Sequence, residues 1–144
     1  MADLHGIYPL VLSQDLIWGD MDAFQHINNT VYFRYFEDAR MAYFDQAKII
    51  EHMERSRIGP ILASTRCDFR APLIYPDKIQ IAMYVEDIQL KRFTMKYLVY
   101  SESLDQVAAE GDGLAVYYDY RHKTSCEIPE EVLTTINTMQ HDFV

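Results

Sequence analysis

Five polar residues packed into ten positions, Asp20, Asp22, His26, Asn28 and Asn29, are the part of this 144-residue chain best suited to chemistry. They open the run WGDMDAFQHINNTVYFRYFEDAR, Trp18 to Arg40, whose second half is amphipathic and rich in aromatic residues. A carboxylate can activate water or attack an electrophile itself. The first N–H groups of a helix have no intrahelical acceptor, and the helix dipole favours negative charge beside them. A carboxylate delivered to the start of a buried helix therefore suits reaction at an uncharged carbonyl. Asn28, Asn29 and Thr30 are all good N-cap types, because a short side-chain oxygen can accept from a free helix amide. Plainer roles exist for each residue. Asp22 could bond loop amides, His26 could pack locally despite titrating near neutral pH, and Asp20 reads as a loop anchor rather than a second acid.

The elements that must hold these residues follow from patterning. Tyr8 to Trp18 is consistent with a first strand ending at Gly19. Tyr32, Tyr35, Phe36, Ala39, Tyr43 and Ala47 recur at spacings of three and four, predicting a helix to about Lys48 with one broad apolar face. Its rings require a wide partner surface, which a sheet provides. Ile49 to Arg57 reads as polar and weakly helical, closed by Gly59-Pro60. Period-two alternation then predicts strands over Ile61–Ala71, Ile79–Glu86, Phe93–Tyr100 and Leu114–Arg121, with short links that favour a meander. Apolar residues on the second face, such as Leu98, Tyr100 and Tyr117, suggest a partner subunit. Ile128-Pro129-Glu130-Glu131 looks like the start of a C-terminal helix. The sum is an α+β chain, one domain over residues 1–144: a long helix against an antiparallel sheet of about five strands.

Charge and composition narrow the function. With 22 acidic against 13 basic side chains, the net charge of −9 argues against nucleic-acid binding through a broad basic surface. The charges are segregated, however. Six basic residues lie between Arg66 and Lys96, so the middle of the chain could receive a small anionic ligand. No stretch approaches the roughly 20 apolar residues of a membrane span. The opening MADLHGIYPLVL lacks the basic region and apolar core of a secretory signal, making a cytoplasmic enzyme or binding protein the expectation. Cys67 and Cys126 have no zinc-like spacing and no activating neighbour in sequence, and read as free thiols. The histidines are scattered, and there is no G-x-S-x-G elbow, Gly-rich phosphate loop or H-E-x-x-H, so neither metal nor cofactor is expected.

The run from Asp20 to Arg40 closely resembles the entry to the central helix of hotdog-fold acyl-CoA thioesterases of the 4-hydroxybenzoyl-CoA thioesterase type, including their long-chain acyl-CoA relatives. Asp20 and Asp22 match a D-x-D pair; His26, Asn28 and Asn29 match H-x-N-N. Tyr32 and Glu37-Asp38-Ala39-Arg40 complete the match. Weaker echoes follow in Phe69-Arg70-Ala71-Pro72-Leu73, Ala109-Glu110-Gly111 and Ile128-Pro129-Glu130-Glu131. The resemblance implies a hotdog fold, in which a sheet wraps the helix and subunits join their sheets into homodimers or homotetramers with active sites at the interface. It implies that Asp22 is the catalytic acid, as general base or nucleophile, and that the helix-start amide at Asn29 polarises the carbonyl. His26 joins them as a further candidate that could orient Asp22 or the thioester. One departure concerns Lys91-Arg92-Phe93-Thr94, where many relatives place a Ser after a basic residue and this chain has Arg92.

An acyl-CoA substrate adds requirements of its own. Tyr32 and Phe36, at the start of the aromatic face, could line an acyl pocket. Coenzyme A carries several phosphate charges, and an acidic protein needs local cations to receive them. Lys91 and Arg92 are the first candidates, joined by Arg66 and Arg70 from either subunit. The alternative of another class is a catalytically silent acyl-CoA or acyl-carrier-protein binder on the same fold.

Overall fold

The computed structural model describes residues 3–143. Strand β1, Leu10–Asp15, is followed by a single 3₁₀ turn at Trp18–Asp20 and the helix α1, Asn29–Gln46. A shorter helix α2, Ile49–Ser56, leads into the strands β2, Ile58–Phe69; β3, Lys78–Glu86; β4, Arg92–Ser101; β5, Gln106–Asp119; and the two-residue β6, Thr124–Ser125. Helix α3, Glu130–Gln140, closes the chain. The sheet is antiparallel in the order β1-β3-β4-β5-β2, with β6 on the end of β5. Strands β3 to β5 form the expected meander, whereas β2 crosses to the far edge beside β5.

Helix α1 lies along the inner face of this sheet. Tyr32, Tyr35, Phe36, Ala39, Tyr43 and Ala47, the face predicted from periodicity, are all buried. They meet Ile79, Ile81, Met83 and Val85 of β3 and Phe93, Met95, Tyr97 and Val99 of β4, which are buried in the same core. Phe36 stacks on Tyr97 with ring centroids 4.6 Å apart. This is the α+β hotdog arrangement.

Several boundaries differ from the sequence expectation, each for a local reason. Strand β5 begins at Gln106 rather than Leu114. Its Gly111 and acidic residues look unlike strand, yet Gly111 is needed there because a Cβ would come within 2.4 Å of the Phe36 ring and 2.5 Å of the Arg66 carbonyl oxygen. Gly59-Pro60 lies inside β2 instead of ending the segment before it. Pro60 is tolerated because β2 is an edge strand. Gly59 makes room for Met53, whose sulfur would sit 2.5 Å from a Cβ. Ile49–Ser56 is a full helix, bounded by Lys48 and Arg57, both in the left-handed region at φ 64° and 61°. Tyr117 belongs to the core, and Tyr100 is covered on the outer face by Leu4 in a small satellite cluster. Neither is therefore an open apolar surface.

The C-terminal helix is locked to the core by one side chain. Gln140 is buried; its Oε1 accepts from the Tyr43 hydroxyl at 2.8 Å and from the Val85 N–H at 2.5 Å, and its Nε2 donates to the Val85 carbonyl at 2.8 Å. Three elements that sequence patterning treats separately, α1, β3 and α3, thus share one polar clamp. Among the described residues, no helix is long and apolar enough to cross a membrane.

Candidate active site

The segment between β1 and α1 is tied down at both ends before it presents any functional group. Leu16 N–H donates to the Asp77 carbonyl at 2.9 Å, and Ile27 N–H to the Leu73 carbonyl at 2.8 Å, so the loop runs alongside residues 73–77. Asp20 is the anchor its position suggested: its carboxylate pairs with Arg34 of α1, and its carbonyl accepts from Asn28 N–H at 3.1 Å. Between these ties the chain makes a tight reversal, with Asp22 N–H bonded to the His26 carbonyl at 3.1 Å and Gln25 in the left-handed region at φ 64°.

Asp22 is half-buried at the base of that reversal. Its Oδ1 accepts from Phe24 N–H at 2.8 Å, the short local loop bond expected of an aspartate in a turn. Its Oδ2 has only a long contact, 3.4 Å, from the Asn28 amide nitrogen. One carboxylate oxygen therefore builds the loop while the other is nearly free to react. Asn28 is the N-cap of α1: its Oδ1 accepts from Thr30 N–H at 2.9 Å, while its carbonyl accepts from Val31 N–H at 3.0 Å. Asn29 is the first helical residue, and its N–H has no acceptor among the described residues. The helix start thus offers one free donor, with the positive end of the α1 dipole behind it.

Asp22, His26, Asn29 and Tyr32 line one open cleft of about 430 Å³, closed on its other side by Phe69, Arg70 and Pro72. Tyr32 packs edge-on against Phe69 with centroids 5.0 Å apart. Burial pushes the Tyr32 phenol above its ordinary range, so it stays neutral there. The His26 ring has no hydrogen-bond partner among the described residues. The wall from Phe69 to Pro72 has no site role in the sequence reading apart from Arg70; its only signal is the weak echo in Phe69-Arg70-Ala71-Pro72-Leu73.

The remaining candidates are dispersed. Phe36 is fully buried one turn along α1, stacked on Tyr97, and is not among the residues that line the cleft. Arg70 reaches the cleft but is paired with Glu110 at 2.8 Å. Arg66 lies next to it on the outer face, between Asp112 at 3.0 Å and Asp68 at 3.2 Å; the bond to Asp112 and both charges hold its guanidinium above its ordinary range. Lys91 and Arg92 are at the opposite end of the sheet, in the β3–β4 hairpin, where Arg92 bonds the Gln89 side chain at 3.1 Å. Cys67 and Cys126 are free thiols. Burial, then the Asp68 charge, pushes Cys67 up to about 11. Among the described residues, no cluster of three or more His, Cys, Asp or Glu side chains is placed to hold a metal.

A profile of the thioesterase-like superfamily matches residues 16–136, which takes in the cleft, strands β2 to β6 and most of α3. The chain belongs to the thioesterase-like superfamily. It is a thioester hydrolase by family. Among curated proteins it is 25% identical over 130 residues to a putative esterase of Aquifex aeolicus, covering 89% of this chain and 98% of that one. It is 20% identical over 119 residues to the long-chain acyl-CoA thioesterase FadM of Escherichia coli, covering 83% and 90%. A Thermus thermophilus thioesterase solved with coenzyme A and zinc shares the fold at a TM-score of 0.82, with 22% identity over 94% of this chain and 96% of that one.

Proposed function

We propose that this thioesterase hydrolyses an acyl-CoA to the free acid and coenzyme A, with Asp22 as general base or nucleophile and the Asn29 amide as oxyanion donor. The observation that carries this reading is that Asn29, whose N–H has no acceptor among the described residues, lines the same cleft as Asp22, whose Oδ2 is nearly free. A thioester carbonyl over the start of α1 directs its oxygen to that N–H, where a preformed donor is worth roughly 3–4 kcal/mol in the transition state. In the general-base route Asp22 takes a proton from water as the water oxygen bonds to the carbonyl carbon. The C–S bond then breaks, and the thiolate leaves and takes up the proton. In the nucleophilic route Asp22 Oδ2 bonds to the carbon itself, expels the thiolate, and the mixed anhydride is hydrolysed by water. Neither route needs a strong acid, since a thiol's pKa is roughly 8.5 and its thiolate leaves readily. His26, at the cleft wall, is placed to bond the thioester or the attacking water. Label found in Asp22 after single turnover in ¹⁸O-water identifies the nucleophilic route, with water attacking the Asp22 carboxyl carbon of the anhydride.

Tyr32 and Phe69 form the apolar wall for the acyl group, and the aromatic lining favours a fatty or aryl acyl chain. Arg70 is the cation of the same chain nearest the cleft. The active unit is a homodimer, whether or not dimers pair further. Strand β2 ends the sheet with residues 61–66 all exposed, and Ile61, Leu62 and Phe69 expose apolar surface. The run from Ile58 to Thr65 carries no charge, and so long an open strand edge calls for a covering partner; a second β2 satisfies its free backbone groups. The free thiols and an acyl-CoA substrate suit a cytoplasmic setting.

Thiol release from a panel of fatty and aryl acyl-CoAs tests the reading. Turnover of a panel member supports it; binding of acyl-CoA without thiol release from any of them would leave a silent binder and overturn it.

A further inference from the structure

We propose that Arg34, half-exposed in the second turn of α1, is a positioning residue for the hydrolysis: through Asp20 it fixes the loop that carries Asp22 against the helix that carries the Asn29 donor. This rests on the acyl-CoA reading, in which those two groups act on one carbonyl. The first observation is how the loop is built. Asp22 N–H donates to the His26 carbonyl and Asn28 N–H to the Asp20 carbonyl, both at 3.1 Å, with Met21 bridged antiparallel to Ile27 between them. Residues 20–22 and 26–28 thus form a miniature ladder, closed by the turn at Gln25. Asp22 is on one arm, and Asn29 directly follows the other.

Such a ladder holds its own shape, so where Asp22 stands relative to Asn29 N–H depends on what fastens the ladder to α1. Leu16 and Ile27 tie it to residues 73–77, not to the helix. Its second arm runs into α1 through the Asn28 cap. The other fastening is the Asp20 carboxylate on the Arg34 guanidinium. Arg34 is five residues beyond Asn29, about 7.5 Å along the helix. The two fastenings are therefore well separated, and together they resist tilting of the ladder about the cap. Among the described residues, no other hydrogen bond or ion pair joins residues 16–27 to α1.

The chemistry of the pair makes Arg34 hard to replace. Only 16% of the Asp20 side chain is exposed, against 48% of that of Arg34. A carboxylate so far out of water needs a cation, and Arg34 is the only one it pairs with among the described residues. The buried Tyr35 hydroxyl near it makes no hydrogen bond. Burial, then the Asp20 charge, pushes that phenol up, so it stays neutral and supplies no positive charge. Without Arg34 the Asp20 carboxylate turns towards water, and the carbonyl that accepts from Asn28 N–H belongs to the same residue. Because Arg34 itself is half-exposed, the pair adds little to global stability. A misplacement of about 1 Å at a reacting group, by contrast, can cost on the order of 10²-fold in rate. The clamp therefore acts on geometry rather than on folding.

The test is steady-state thiol release from an acyl-CoA that wild type hydrolyses, with melting temperature measured alongside, for R34M, R34K, D20N and D20N/R34M. R34M is expected to lower kcat by about 10- to 100-fold, with KM within about threefold of wild type and melting within about 4 °C of it. R34K keeps a charge but not the planar fork, and should recover about half or more of that loss on a logarithmic scale. Because both residues act through one bond, D20N/R34M should be no slower than the slower single variant. Wild-type kcat in R34M, or single losses that multiply in the double variant, would overturn the proposal while leaving wild-type hydrolysis intact. So would a kcat that falls only in step with melting, with R34K no faster than R34M. A wild type that releases no thiol from any acyl-CoA would instead overturn the acyl-CoA reading, and this inference with it.

Discussion

Asn28 has two jobs that substitution can separate. Its Oδ1 caps α1 through Thr30 N–H, and its Nδ2 lies 3.4 Å from Asp22 Oδ2. Asn28→Ala removes both and should cost about 1–2 kcal/mol of stability, mostly from the lost cap. At roughly 4 °C per kcal/mol for a chain of this size, melting falls by about 4–8 °C. Asn28→Ser keeps a cap acceptor and should melt within about 2 °C of wild type. Both variants lose only a long, weak contact to Asp22, so kcat should change by no more than a few fold. Asn28→Asp keeps the cap but puts a second carboxylate oxygen where the amide nitrogen stood. Two unit charges about 4 Å apart repel by roughly 1 kcal/mol in water and roughly 4 kcal/mol at an effective dielectric of 20. The half-buried site lies between these limits. That repulsion disfavours the ionised form of Asp22, but an ordinary aspartate ionises roughly three units below pH 7, so kcat at pH 7 should change by no more than a few fold while the acid limb of the pH–rate profile moves to higher pH. Steady-state thiol release and thermal melts on the three variants give the pattern. An acid limb that stays in place when the Asn28→Asp rate is followed across pH would refute a role for ionised Asp22, and equal melting of the Ala and Ser variants would refute the capping argument.

Three further outcomes follow from the packing. Gln140→Leu strands the Tyr43 hydroxyl and both backbone groups of Val85, and should destabilise by roughly 4 kcal/mol in denaturant melts, whereas Tyr43→Phe should cost only about 1. Gly111→Ala drives a methyl into the Phe36 ring and the Arg66 carbonyl, and should cost roughly 3 kcal/mol in denaturant melts. Alkylation of Cys67 in the folded protein should rise through about pH 11, while the unfolded chain reacts near the ordinary thiol value of roughly 8.5; a normal profile in the folded state would contradict its burial.

How far the sequence foretold the site depended on how local each interaction is. Asp22, Asn28 and Asn29 were legible because the turn, the cap and the helix start bond within a few residues of one another. The aromatic face of α1 was legible because helical periodicity records burial directly. The Phe69–Pro72 wall was not, since it reaches the cleft only through the crossover of β2 to the sheet edge. Strand β5 was read eight residues short because Gly111 and its acidic neighbours resemble a loop until the Phe36 ring above them is known. Gly59-Pro60 resembled a break because only the tertiary fold shows that β2 is an edge. Basic residues close in sequence, Arg66 and Arg70 on one side and Lys91 and Arg92 on the other, were grouped as one patch. The sheet separates them, and pairs the first two with carboxylates from β5. The Gln140 clamp left no trace in pattern at all: a single glutamine on a polar helix has no periodic signature.

The most direct test of the central claim is single-turnover thiol release, with enzyme in excess over a good acyl-CoA, for wild type and Asp22→Asn. The asparagine keeps an oxygen to accept from Phe24 N–H, so the loop should hold and melting should shift by less than about 4 °C. Loss of the base or nucleophile should slow the chemical step by roughly 10²- to 10⁴-fold. A folded Asp22→Asn protein that releases thiol within about threefold of the wild-type rate, less than 1 kcal/mol in barrier, would show that Asp22 only anchors its loop.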